Sequence, residues 1–90
     1  MKLTSEEKEL IIAAKEIGVF YLVSVDQTGT WVRAGEKDFV DHNDPAFAAT
    51  YREAFESLCE HGYIKKESTN YFVLTGSGFE KARELAEEEQ

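Results

Sequence analysis

Residues 62–86, GYIKKESTNYFVLTGSGFEKARELA, change apolar period part-way along, and that change dictates much of the local topology. YIKKE and YFVLT are short runs of aromatic and β-branched residues on either side of Ser68-Thr69-Asn70. This is the pattern of an antiparallel hairpin. Beyond it the apolar spacing lengthens to three and four. Phe79, Ala82, Arg83, Leu85 and Ala86 then share the inner face of a helix. Either Thr75 or Ser77 caps that helix, and Ser77 has Glu80 three residues on, a capping box. The closing EEEQ of residues 87–90 is expected to fray.

The preceding chain supplies two more helices and a second hairpin. Thr4-Ser5-Glu6-Glu7 is another capping box, followed by Leu10, Ile11, Ala14 and Ile17 at helical spacing and by Gly18 as a stop. A helix is predicted over 5–17. VFYLVSV (19–25) and TWVRA (30–34) flank DQTG, where Asp26 opens a type I turn and Gly29 takes the left-handed closing position. That turn pairs Val25 with Trp31 and Val23 with Arg33. Residues 35–43 have no sustained period and read as a loop with room for one helical turn. Asp44-Pro45 then starts a helix over 45–61, Asp at the cap and Pro at the first position. Phe47, Tyr51, Ala54, Phe55 and Leu58 form its apolar stripe. His61 lies at the negative end of the helix, and Gly62 terminates it.

The predicted fold is therefore α+β, a single domain over residues 1–90 in the order α-β-β-α-β-β-α, with two β-hairpins and three helices. Six Phe, four Tyr and one Trp supply a core, so a chain of this size can bury about 60–65% of its unfolded surface. No apolar run reaches the roughly 20 residues that span a bilayer, and MKLTSEEKEL has no apolar signal core. Cys59 is alone, which rules out an internal disulfide and fits a reducing cytoplasm. The net charge of -8 is uneven: -1 over residues 1–34, -5 over 35–62 and -2 over 63–90. Such a field repels phosphates.

The helix ending in ESLCEHGYI, the hairpin ending in YFVLT and the following GSGFEKARELA resemble the second half of winged-helix domains, over residues 45–86. The resemblance implies a small winged-helix-like domain in which the 45–61 helix would enter a DNA major groove. The 63–75 hairpin would be the wing. Arg52, Glu53, Glu56, Ser57 and Glu60 would face DNA, helped by Lys65 and Lys66 of the wing. The pattern departs in two ways. A hairpin fills residues 19–34, leaving only 35–43 for the short helix that normally precedes the recognition helix. The DNA-facing set offers one cation against three glutamates, whereas phosphate contacts depend on cations that release counterions.

Three other constellations have ordinary explanations. Asp38, Asp41, His42, Asn43 and Asp44 are divalent-cation donors, but without EF-hand spacing they read as turn formers and a cap. Cys59 and His61 are two apart on a helix and point in different directions. GSG (76–78) suits an anion nest, a cap or close packing alike. No catalytic, metal or cofactor site is assigned, and an enzyme is not expected. The sequence points to a non-enzymatic protein-interaction or regulatory module whose partner is another protein. The alternative is a transcriptional regulator contacting DNA through the wing with Arg52, Lys65 and Lys66. A third, weaker reading is a metal-dependent enzyme using residues 38–44.

One face of the first hairpin carries Val19, Tyr21, Val23, Val25, Trp31 and Arg33; the other carries Phe20, Leu22, Ser24, Val32 and Ala34. A guanidinium is rarely buried unpaired, and a surface Trp–Arg pair gains cation–π attraction. Both faces are apolar enough to be core, so two placements of Trp31 stand: sealed in the core, or, as Arg33 favours, partly exposed with Arg33 and Tyr21 in a protein-binding patch.

Overall fold

The first helix begins where its capping box places it. In the computed structural model, which describes residues 2–26 and 29–88, Thr4 Oγ1 accepts from the Glu7 backbone N–H at 3.1 Å. The Glu7 carboxylate accepts from the Thr4 N–H at 2.8 Å in return. Helix α1 spans Ser5–Ala14 and ends sooner than its apolar spacing predicts. Residues 15–17 form a turn, and Ile17, expected on the core stripe, is 55% exposed. The stop is Gly18, at φ +69°. The left-handed backbone favours glycine there, and the ring of Phe79 from helix α3 (Gly76–Glu88) lies over it.

Strands β1 (Val19–Val25) and β2 (Gly29–Ala34) form the first hairpin. Its register differs from the expected one by two residues: Val23 pairs with Trp31, Tyr21 with Arg33 and Val25 with Gly29. Gly29 has the positive φ, +106°, that the turn needs, while Gln27 and Thr28 lie outside the described residues. An even shift preserves the side of every side chain, so the two predicted faces survive the change of register.

Residues 35–43 hold a strand where a loop was expected. β3 (Lys37–Phe39) pairs with β2, Val32 opposite Phe39 and Arg33 opposite Asp38. Three residues are too few to display a period, and what holds the strand is tertiary. The Phe39 ring is buried against Tyr51, with centroids 4.8 Å apart.

Helix α2 (Pro45–Glu60) starts at the Asp44 cap, whose carboxylate accepts from the Ala46 N–H at 3.1 Å. β4 (Ile64–Ser68) and β5 (Tyr71–Leu74) form the second hairpin, with a bulge between Lys66 and Ser68. Thr75 caps α3, its hydroxyl accepting from the Gly78 N–H at 3.1 Å. The helix continues to Glu88. Residues 89 and 90 lie outside the described part.

The hairpins join because β1 also pairs with β5, Phe20 opposite Phe72. The result is one antiparallel sheet in the order β3-β2-β1-β5-β4 and an element order of α-β-β-β-α-β-β-α. Phe20, Val32, Ala34, Phe39, Ile64, Phe72 and Leu74 point from the sheet into one core, where they meet Leu10, Ile11, Leu58, Phe55 and Leu85 from the helices. Phe55 packs against both Phe20 and Phe72, at 5.6 and 4.8 Å between centroids. Two expected core aromatics lie at the periphery: Phe47 is 36% exposed and stacks on Tyr51, and Phe79 is 46% exposed over Gly18. Arg83, also placed on the inner face of α3, is exposed.

Candidate functional site: the outer face of the sheet

Side chains alternate across a strand, so the core takes one set from each strand and leaves the other set on the far side. That far side carries Val19, Tyr21, Val23 and Val25 of β1, Trp31 and Arg33 of β2, Asp38 of β3, and Tyr71 and Val73 of β5. All three helices contribute to the core on the opposite side. Tyr21 is 40% exposed and Val25 46% exposed. The Tyr21 and Tyr71 rings, directly opposite on paired strands, lie 5.3 Å apart.

Trp31 corrects one expectation. It is buried, not partly exposed, although it lies outside the main core. Its indole Nε1 donates to Asp38 Oδ1 at 3.1 Å. The His42 ring meets the indole edge-on, at 5.6 Å and 87° between planes. Arg33 approaches the same carboxylate from its directly opposite position, Nε to Oδ1 at 2.7 Å and one terminal amine to Oδ2 at 3.3 Å. Arg33 thus binds Asp38, and the surface cation–π pair expected between Arg33 and Trp31 is replaced by a shared acid. The Arg33 guanidinium holds the Asp38 carboxyl below its ordinary range; partial burial opposes that effect and the Trp31 N–H adds to it. Of the three residues predicted for the patch, Tyr21 presents itself to solvent, Arg33 is half-buried at its edge, and Trp31 is the buried post beneath it.

Sequence reasoning missed Asp38 as the partner of Trp31 and Arg33, because nothing marked 37–39 as a strand. It also missed Tyr71 and Val73, although the alternation in YFVL carries that signal.

The residues proposed for DNA contact are dispersed. Arg52 turns inward from α2 and donates from a terminal guanidinium nitrogen to the Thr30 backbone carbonyl at 2.6 Å. Lys65 pairs with Glu67 at 3.3 Å, and Lys66 lies exposed on β4. Glu53, Glu56 and Glu60 remain on the exposed side of α2.

The 38–44 donors have separate tasks. Asp41 accepts from the Asn43 N–H at 2.9 Å, Asp44 caps α2, and Asp38 and His42 attend Trp31. Among the described residues no group of three or more His, Cys, Asp or Glu side chains could hold a metal ion. Burial, with the nearby Glu56 and Glu60 charges, pushes the Cys59 thiol up to about 11, which keeps it protonated near neutral pH. His61 Nδ1 lies 2.7 Å from the Ser57 carbonyl oxygen at the helix end. Within GSG, Gly78 has no room for a side chain, because a methyl group would strike the Tyr63 carbonyl oxygen. Close packing accounts for that glycine. Among the described residues no helix is long and apolar enough to cross a membrane. Comparison of the chain with protein-family models, with curated proteins and with solved structures returned no match.

Proposed function

We propose that this chain is a non-enzymatic interaction module of winged-helix type that docks another protein against the outer face of its sheet. The observation that carries the reading is the pair Tyr21 and Tyr71, stacked between Val19, Val23, Val25 and Val73 on a face opposite the helices. Aromatic residues on such a patch supply large contact area at low entropic cost. The charges around the face are paired, Arg33 with Asp38 and Lys65 with Glu67. The fitting occupant is a protein surface with an uncharged, apolar centre.

The sheet edges favour docking on the face over strand addition. β3 is only three residues long, and β4 carries Lys65, Lys66 and a bulge, all features that discourage pairing with another chain. The winged-helix reading is supported by the β1-β5-β4 order and by α2 leading directly into the β4–β5 hairpin. In this reading β2 and β3 occupy the place of the short helix. The acidic exposed side of α2 favours a protein over DNA as partner.

Capture of partners by the wild-type chain and by the Tyr21→Ser/Tyr71→Ser variant tests the proposal. A partner retained by the wild type and lost by the folded variant supports it. Retention by both variants, or by neither, overturns it.

A further inference from the structure

The inner side of the sheet is not entirely covered by helices. A cavity of about 650 Å³ opens between the β1–β2 hairpin and α2. Its walls are Leu22 and Thr30 of the hairpin, Phe72 of β5, and Phe55 and Cys59 of α2, with Arg52, Glu56 and Glu60 at the rim. The volume lies within the ~300–1,000 Å³ usual for ligand pockets. Three features give it a definite chemistry.

The floor is aromatic and rigid. Phe55 and Phe72 meet at 87°, and both are anchored in the core below. The hairpin wall is also held in place. Ser24 and Thr30 share a hydrogen bond of 3.0 Å across the two strands, and Arg52 ties the Thr30 carbonyl to α2 at 2.6 Å.

The rim is negative. Glu56 and Glu60 are one helical turn apart, both exposed, and neither forms a salt bridge among the described residues. Both line the groove beside Cys59. The one cation at the rim, Arg52, is directed to a backbone carbonyl rather than to these carboxylates. An anionic occupant would therefore meet unpaired negative charge, and an uncharged one would leave that charge unused.

We infer that the groove between α2 and the β1–β2 hairpin is a second binding site, for a short peptide segment that places a Leu or Phe side chain beside Lys or Arg. The apolar side chain rests on Leu22, Cys59 and the edge of Phe72, and the cations pair with Glu56 and Glu60. This site lies on the side of the sheet opposite the Tyr21–Tyr71 face, so it stands or falls independently of the function proposed above.

The test is a titration of the labelled full chain, followed by amide chemical shifts, with three synthetic peptides: acetyl-KLKFK-amide, acetyl-ELEFE-amide and acetyl-KAKAK-amide. The first should give saturable shifts at Leu22, Thr30, Phe55, Cys59 and Phe72. The acidic and alanine peptides should give none there. The double variant Glu56→Gln/Glu60→Gln changes only exposed side chains and should keep the fold, while weakening the first peptide about five- to tenfold. Added salt should weaken the wild-type complex in the same direction. Absence of saturable groove shifts with the first peptide, equal shifts with all three, or undiminished affinity in the double variant would each overturn the inference.

Discussion

Trp31 donates its indole N–H to Asp38 Oδ1 at 3.1 Å, and Arg33 takes hold of the same carboxylate from the opposite strand position. The two bonds differ in consequence. The ion pair joins half-exposed groups, and such pairs contribute little. The indole is buried, and a buried donor without a partner is costly. Asp38→Ala should therefore destabilise the protein by about 1–2 kcal/mol through the stranded N–H, and Arg33→Ala should have a much smaller effect. Urea denaturation of the two variants compares them. Equal losses would mean that the ion pair, not the indole bond, supports the outer face.

The same triad makes a pH prediction. The folded Asp38 carboxyl titrates below its ordinary value, so its contribution is present above the unfolded value of about 3.9 and is lost as pH falls through the lower folded one. Trp31 is the only tryptophan. Its indole proton resonance should hold its position down to about pH 4 and move only below that. Movement centred at or above pH 4 would contradict the assigned hydrogen bond.

At alkaline pH the relevant pair joins α1 to α2. Tyr51 donates its hydroxyl to Glu9, and this bond, with burial, pushes the phenol up to about 12. A raised folded value means that the stability gained is complete below the unfolded value of about 10 and is lost as pH rises from there through the folded value. Tyr51→Phe should cost about 1 kcal/mol at neutral pH and flatten that alkaline loss. Parallel pH profiles for wild type and variant would exclude the bond.

Phe55 joins β1, β5 and α2 through its contacts with Phe20 and Phe72. Phe55→Ala should cost about 3–5 kcal/mol, much of the stability of so small a domain. A denaturation midpoint that hardly moved would show that α2 does not rest on the sheet as described.

Duplex DNA should bind more weakly than the roughly 10⁻⁴–10⁻⁶ M of non-specific DNA-binding proteins at physiological salt. Arg52 is engaged by the Thr30 carbonyl and Lys65 by Glu67, so few cations are free to release counterions. Salt-sensitive micromolar shifts on α2 and residues 63–75 would reverse the choice of partner.

The parts of the fold that were legible in the sequence are those set by local chemistry. Thr4 with Glu7 and Asp44 with Pro45 place helix starts through bonds a few residues long. The sequence also separated the two faces of the first hairpin, because the expected register differs from the observed one by an even number of residues. What escaped depends on contacts distant in the chain. β3 exists because Phe39 finds Tyr51, and the single sheet exists because Phe20 finds Phe72. The position of Trp31 was hidden for the same reason, since its burial comes from Asp38 and His42 on a segment without periodicity.

Photo-crosslinking from the outer face tests the central claim most directly. A benzophenone side chain placed at Tyr21, and separately at exposed Glu80 on α3, should be irradiated in cell extract from the source of the chain. The account predicts a discrete adduct with another protein from position 21, absent from position 80 and suppressed by Tyr71→Ser. Adducts equal from both positions, adducts indifferent to Tyr71, or no adduct from position 21 would contradict it.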